Sequence, residues 1–257
     1  MENNCPNCNQ IIEGNFCGNC GQKKYTRIDK KYILDEFQYI LHANKGFLYS
    51  IKKLIVNPGK TAREFIDGNR INHHQPISLA FILSGISAYI SFKIVDFNGI
   101  LKEMYSKREM YSDYINDLLS FIGSFISFIL LFLIPVFAFF SKIAFKKWGN
   151  NYYEHVVMYA FILSFHTLIN VIVFLPVVYL AKDNAIIEVF TFLPMSAIPF
   201  VLVWFYKGFY KEHSLISVLW RVFLMLFMAF IAYMCFIFAI TFLYARIFGI
   251  EAMQQMQ

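Results

Sequence analysis

Five long apolar stretches constrain the fold of this 257-residue chain more than any other feature. They lie at about 77–95, 118–140, 155–180, 187–206 and 215–243, and each can cross a hydrocarbon core of ~30 Å as a helix. Hydrophobic residues make up 58% of the chain, which is more than a water-soluble fold normally carries. The sequence therefore predicts an all-α integral membrane bundle of about five transmembrane helices.

The basic residues indicate how these spans are oriented. Nearly half of the 23 Lys and Arg residues lie between Lys23 and Arg70, before the first span, and others follow the second and fourth spans. Cytoplasmic segments of membrane proteins carry such an excess. The first twenty residues are polar and lack the pattern of a cleavable signal peptide. We expect a multi-pass protein of the inner (cytoplasmic) membrane, with the N-terminus cytoplasmic and the C-terminus outside. These orienting residues account for the net charge of +6 without a nucleic-acid partner. We therefore expect membrane lipids, and not nucleic acid, as partners.

Four of the five cysteines form two Cys-x-x-Cys pairs near the N-terminus. Cys5 with Cys8, and Cys17 with Cys20, can place four thiolates around one ion. Cytoplasmic thiols stay reduced, which favours a metal over disulfides. A shell of four protein ligands leaves no open position for water, so we expect structural Zn²⁺ in a ribbon over 1–24, with iron as the alternative.

The ribbon is too short to own a hydrophobic core, since Ile11, Ile12 and Phe16 are almost its only apolar residues. Metal binding must therefore supply most of its folding energy. Gly18 and Gly21 are expected to provide the unusual backbone angles of the metal knuckles. The ribbon either docks a cytosolic protein partner or only orders the N-terminus, and the sequence supports both interpretations.

Residues 25–76 connect the ribbon to the first span. Apolar residues at helical spacing within 31–56, interrupted at Gly46, predict amphipathic helices at the membrane interface. Asn57-Pro58-Gly59 breaks this pattern. The spacing of Thr61 and Glu64 then predicts a capping box and a short helix that ends at Gly68.

The segment 57–76, which we call the elbow, carries the densest group of polar residues near the membrane. Arg63, Arg70, His73 and His74 are candidates for binding a phospholipid headgroup or another anion. The alternative is an elbow held by ion pairs that steers the chain into the bilayer.

The ribbon and the elbow together resemble an uncharacterised family of bacterial multi-pass membrane proteins with a short N-terminal zinc ribbon. The resemblance rests on the four cysteines and on the stretch "GF…NPG…AREFIDGNR…QP" within residues 5–80. Where that family usually has an aromatic residue after the arginine, this chain has His73 and His74. The resemblance implies an architecture and no activity.

Polar side chains inside the spans are few. His166 and Asn170 are four residues apart on one face of the third span and form a candidate intramembrane site. A hydrogen bond between helices is the alternative explanation. Glu154-His155 and Glu212-His213 would form a second metal or headgroup site near His73 and His74 if the ends of the third and fifth spans adjoin.

These features divide the chain into the ribbon (1–24), the interfacial helices and elbow (25–76), the bundle (77–246) and a C-terminal tail (247–257). No nucleophile, base and open metal site occur together, which predicts a non-enzymatic protein with no catalytic residue. We expect a membrane scaffold or membrane-perturbing effector, with homo-oligomerisation and a role in defence as open possibilities. The alternative is a small-molecule or lipid transporter or channel that uses the polar face of the third span.

Overall fold

The computed structural model describes residues 4–24, 27–30, 32, 46–107, 113–182 and 186–248. Beyond the N-terminal ribbon this part of the chain is all-helical. Its helices are α1 (Phe47–Val56), α2 (Pro58–Ile66), α3 (Pro76–Tyr89), α4 (Phe97–Lys107), α5 (Asp113–Ala144), α6 (Tyr152–Ile169), α7 (Leu175–Ala181), α8 (Ile187–Phe209) and α9 (Leu215–Phe248). The π-helical turn Ile90–Ile94 extends α3, and the π-helical turn Asn170–Phe174 joins α6 to α7.

Five helical segments are long and apolar enough to cross a membrane. They are Pro76–Ile94, Ser120–Ala144, Tyr152–Ala181, Ile187–Phe209 and Leu215–Ala239. The prediction of an all-α bundle with about five spans is therefore confirmed.

The chain reverses direction after each span, so the helix ends form two groups. α3, α6 and α9 begin at the end nearest the ribbon, and α5 and α8 finish there. We call the end of the bundle nearest the ribbon the ribbon end, and the opposite end of the bundle the far end. The third span, which starts with α6, is the most buried and packs against α3, α5 and α8. The second and fifth spans bury few of their side chains, as helices that face lipid do.

The elbow contains the helix α2, which follows α1 and differs from the prediction in one respect. α2 begins at Pro58 and not at Thr61, because the Asn57 side chain accepts a hydrogen bond from the backbone N–H of Lys60 (2.9 Å). Proline suits the first helical position, where no backbone donor is needed. The predicted Thr61–Glu64 capping box is therefore wrong. The helix ends at Ile66, shortly before Gly68, whose φ of 111° only glycine adopts readily.

The remaining predictions for connecting segments have mixed outcomes. The second amphipathic stretch is the helix α1, as expected, but residues 33–45 of the first stretch lie outside the described residues. Between the first and second spans lies the helix α4, which carries an ion pair between Glu103 and Lys107 (2.7 Å).

Candidate functional site

The four N-terminal cysteines converge on one point. Their sulfur atoms all lie within 4.8 Å of one another, with Sγ···Sγ distances of 3.6 Å for Cys5–Cys20 and 3.5 Å for Cys8–Cys17. Sulfurs bound at ~2.3 Å to a tetrahedral zinc ion would be about 3.8 Å apart, so the cluster fits such an ion closely. The four cysteines are thus close enough to bind a metal ion. Its identity as zinc remains a prediction.

The two halves of the ribbon repeat the same backbone turn. In each, the N–H of the residue four positions after the first cysteine donates to that cysteine's carbonyl: Asn9 to Cys5 (2.8 Å) and Gly21 to Cys17 (2.9 Å). Both donors have positive φ, 59° and 73°. The expectation for Gly21 is therefore confirmed, but Gly18 is not among the residues with positive φ, and Asn9 fills the corresponding position in the first turn.

The surroundings of the thiols favour a metal-bound, ionised cluster. A hydrogen bond from the side chain of Asn7 lowers the pKa of Cys20 to about 6, which favours the thiolate that binds metal. Burial raises the pKa of Cys5 to about 11. A bound divalent cation would overcome this cost of burial, since coordinating thiols lose their protons outright.

The ribbon is attached to the elbow through a buried glutamine. The Gln22 side-chain oxygen accepts hydrogen bonds from the backbone N–H groups of Arg70 (3.1 Å) and Ile71 (2.8 Å). The Asn72 side chain donates to that of Asn7 (3.0 Å), between the first two cysteines. Sequence reasoning did not identify Gln22 or Asn7, because their partners lie about fifty or more residues away in the chain.

The segment after the ribbon is attached to the start of α6. Arg27 forms an ion pair with Glu154 (2.9 Å) and donates to the carbonyl of Gly149 (3.0 Å). The Asn151 side chain donates to the carbonyl of Ile28 (2.9 Å), whose side chain is buried in the main core. The ribbon is therefore held to the elbow through Gln22, and the segment that follows it is held to the start of α6.

The two arginines proposed to bind anions both have protein partners. Arg63 lies 3.1 Å from Asp67 and 3.4 Å from Glu212, and donates to the carbonyl of Phe209 (3.2 Å). Arg70 donates to the carbonyl of Phe65 (3.1 Å). These contacts are those of an elbow held by ion pairs and hydrogen bonds, and headgroup binding stays a prediction.

The two elbow histidines turn inward. His73 is only 6% exposed and lies edge-on to Tyr49 and Phe65, at ring-centroid distances of 5.1 and 6.0 Å. Its ring nitrogens have no hydrogen-bond partner among the described residues. Burial lowers the pKa of His73 to about 4, so the ring is neutral at physiological pH. His74 is buried too, and its backbone N–H donates to Ser50 Oγ (2.7 Å).

Among the described residues, the two Glu-His dipeptides do not form the predicted second metal site, and a headgroup site there stays a prediction. The structure gives each of these residues a different neighbour. Glu154 pairs with Arg27 and Glu212 with Arg63; His155 Nδ1 lies 2.7 Å from Ser141 Oγ, and the His213 ring stacks on Trp148 at 3.8 Å. Among the described residues, the four cysteines are the only group of three or more ligands close enough to share a metal.

A contact between two glycines joins the elbow to the fourth span. A Cβ atom on Gly59 would overlap the backbone of Phe205 and Gly208 in the last turns of α8. A Cβ atom on Gly208 would in turn lie 2.7 Å from the side-chain oxygen of Asn57. The Asn57-Pro58-Gly59 motif therefore starts α2, and also lets α2 approach α8 more closely than any larger residue would allow. An isolated glycine in the apolar fourth span was the only sequence signal for this contact.

His166 and Asn170 meet at a cavity in the far half of the bundle. The cavity has a volume of about 460 Å³ and is lined by α3, α4, α5, α6, α7 and α8. His166 Nε2 lies 3.1 Å from the carbonyl oxygen of Pro194, and Asn170 Nδ2 donates to Ser87 Oγ (3.1 Å). Both residues thus bond to neighbouring helices while they line a cavity.

One family model matches part of the chain. It is described as a protein of unknown function (DUF3667) and covers residues 44–88, which are α1, α2 and most of α3. No curated protein and no solved structure matches the chain. The resemblance to an uncharacterised family is thereby confirmed for the elbow and the start of the first span. The bacterial origin and the zinc ribbon of that resemblance remain predictions.

Proposed function

We propose that this chain is a non-enzymatic membrane protein whose metal-bound ribbon docks a protein partner and transmits that binding to the transmembrane helices. The observation that carries the proposal is the attachment of the ribbon to the elbow through Gln22, which makes two hydrogen bonds to elbow backbone N–H groups. A module attached in this way can pass a displacement on to the residues that hold it.

The ribbon presents an apolar surface to a partner. Ile11 is 69% exposed and Phe16 is 60% exposed, whereas Ile12 between them in sequence is buried. Aromatic and aliphatic anchors of this kind are typical of the centres of protein interfaces. Lys23 lies across an antiparallel bridge from Phe16 and adds positive charge, so the partner surface should be apolar with an acidic rim.

The elbow provides the mechanical connection to the spans. Gly59 packs against the backbone of α8, and Arg63 bonds to the last residue of α8 and to Glu212 just beyond it. A shift of the elbow must therefore shift the end of the fourth span, because close-packed backbones do not yield separately.

The spans supply the output, as a membrane scaffold or as an effector that perturbs the bilayer. The exposed apolar faces of the second and fifth spans suit lipid or a second copy of this chain, so a homo-oligomer is part of the proposal. The excess of Lys and Arg before the first span supports an inner-membrane protein with a cytoplasmic ribbon. Zinc is the metal that best fits four thiolates with no open position.

The test is co-purification in mild detergent with mass spectrometry, with metal content measured on the same samples. The variant is the double substitution Ile11→Ser with Phe16→Ser, and the control is Glu13→Ala, which changes another exposed ribbon residue. We expect the double variant to keep its metal and to lose a protein that the control retains. If both variants recover the same proteins in the same amounts, the ribbon does not dock through this surface and the proposal fails.

A further inference from the structure

The far-end cavity is lined by polar atoms for which the described residues supply no hydrogen-bond partner. Ser84 is 1% exposed and lines the cavity, yet its Oγ has no hydrogen-bond partner among the described residues. The Asn98 side-chain oxygen, also buried, lines the same cavity and is likewise without a partner there. Buried polar atoms are nearly always hydrogen-bonded, so two such atoms at one cavity indicate a missing partner.

The polar groups of the cavity wall are uncharged. They include Ser84, Ser87, Ser91, Asn98, Thr167, Asn170, Thr191 and His166, and no Asp, Glu, Lys or Arg is among the described lining residues. The carbonyl of Pro194 can only accept, so His166 Nε2 must carry the hydrogen of their bond. A charged ligand group would stay uncompensated here at a large cost, which selects for a neutral ligand.

The rest of the wall is apolar, and the volume limits the size of the ligand. Its apolar side chains, mainly Leu, Ile, Val and Phe, come from α4, α5, α6, α7 and α8 and from the π-helical turn after α3. A volume of about 460 Å³ has the size of a small-molecule site. At roughly 30 Å³ per heavy atom, the share of a water molecule in the liquid, it accommodates about fifteen non-hydrogen atoms. This corresponds to one alkyl or prenyl chain with a small headgroup, and not to a two-chain phospholipid.

We infer that this cavity binds a neutral single-chain lipid with a hydroxyl headgroup, such as a fatty or isoprenoid alcohol. The hydroxyl bonds to Ser84 Oγ, and the chain lies along the apolar wall. This inference does not depend on partner docking by the ribbon, because the cavity lies at the far end of the bundle.

The test uses the full chain in detergent micelles and a fatty alcohol that carries a diazirine near its hydroxyl. After irradiation, we expect mass spectrometry to find the label on peptides of α3, α4 and α6. An unlabelled alcohol of the same length should compete for the site, whereas the corresponding fatty acid, ionised at neutral pH, should not.

Two variants and a control make the result decisive. Ser84→Ala should weaken binding roughly five- to tenfold, as the loss of one buried hydrogen bond does. Ala88→Phe should fill the cavity and abolish labelling there. Ser124→Ala, an exposed serine of α5 outside the cavity lining, should change nothing. The inference is overturned if labelling spreads over the exposed spans, if all three variants behave alike, or if the fatty acid competes as well as the alcohol.

Discussion

The ribbon end and the far end of the bundle are built in opposite ways. At the ribbon end, Phe145 stacks on Tyr206 at 4.3 Å and on Tyr210 at 5.4 Å, and Ser141 bonds to both His155 and Tyr206. These residues are all buried. At the far end, α5, α6 and α8 line a cavity together with α3, α4 and α7. Both ends contain buried polar atoms without a partner among the described residues, but those of His73 lie among packed aromatic rings. Those of Ser84 and Asn98 lie at the cavity, where a ligand can reach them.

This difference teaches where the chain tolerates change. The ribbon end contains the elbow, and the family match covers the elbow and part of the first span and not the spans that follow. A close contact between backbones and the hydrogen bond from Arg63 to Phe209 join the elbow to the end of α8. The ion pair between Arg27 and Glu154 joins the segment after the ribbon to the start of α6. Substitutions at the ribbon end should therefore affect stability, and substitutions at the cavity should affect binding.

The largest expected effect is the loss of the metal. Cys17→Ser removes one of four ligands and should unfold the ribbon, because structural zinc sites contribute on the order of 10 kcal/mol to small modules. The transmembrane helices should stay intact, since their core does not include the cysteines. Metal analysis and limited proteolysis of the N-terminal segment would measure the loss of the ribbon. Circular dichroism would measure whether the helices are retained.

Cys235→Ser is the matched control, because this exposed cysteine lies on α9, away from the cluster. It should retain the metal and the protease resistance of the ribbon. A Cys17→Ser protein that binds metal as tightly as the control would contradict the assignment of the four ligands.

The next effect concerns the close approach of the elbow to α8. Gly59→Ala places a methyl group against the backbone of Phe205 and Gly208, and should lower the free energy of unfolding by about 3 kcal/mol or more, because backbone cannot move aside as a side chain can. Thermal unfolding in detergent measures this loss. Gly85→Ala in α3 is the control, since a Cβ atom there meets nothing within 4 Å and alanine favours helix. Equal stability of the two variants would show that the elbow does not hold α8.

The two ends also differ in how much of them the sequence predicts. The spans and the four cysteines follow from local patterns, namely long apolar runs and Cys-x-x-Cys spacing. The Gly59–Gly208 contact and the bonds of Gln22 join residues that are far apart in sequence, and no single local pattern specifies such pairs. The elbow histidines show the same limit: a polar segment suggested exposure, but His73 lies among aromatic rings.

The burial of His73 makes the ribbon end sensitive to acid. The ordinary pKa of 6.5 falls to about 4 in the folded protein because burial disfavours the charged ring, with Lys53 adding to the effect and Glu64 opposing it. Above pH 6.5 the ring is neutral in both states. Below it the unfolded chain takes up a proton first, so unfolding becomes easier by about 2 kcal/mol at pH 5. Thermal midpoints in a non-ionic detergent from pH 8 to pH 5 would measure this.

His73→Phe keeps an aromatic ring in the same position but does not titrate. Its stability should therefore fall less than that of the parent protein between pH 6.5 and pH 5. Parallel curves for the two proteins would mean that His73 does not change its protonation on unfolding, and that the acid sensitivity of the ribbon end has another source.

The smallest effect tests whether ribbon and elbow act as one unit. Gln22→Ala removes the acceptor for the N–H groups of Arg70 and Ile71 and should lower stability by only about 1 kcal/mol, since water can replace part of the lost bonding. Hydrogen exchange should nevertheless increase sharply at these two amides. Gln10→Ala, an exposed ribbon glutamine, should leave them protected. If exchange is the same in both variants, Gln22 does not join the ribbon and the elbow into one unit. The ribbon is then held mainly by Arg27 and its neighbours.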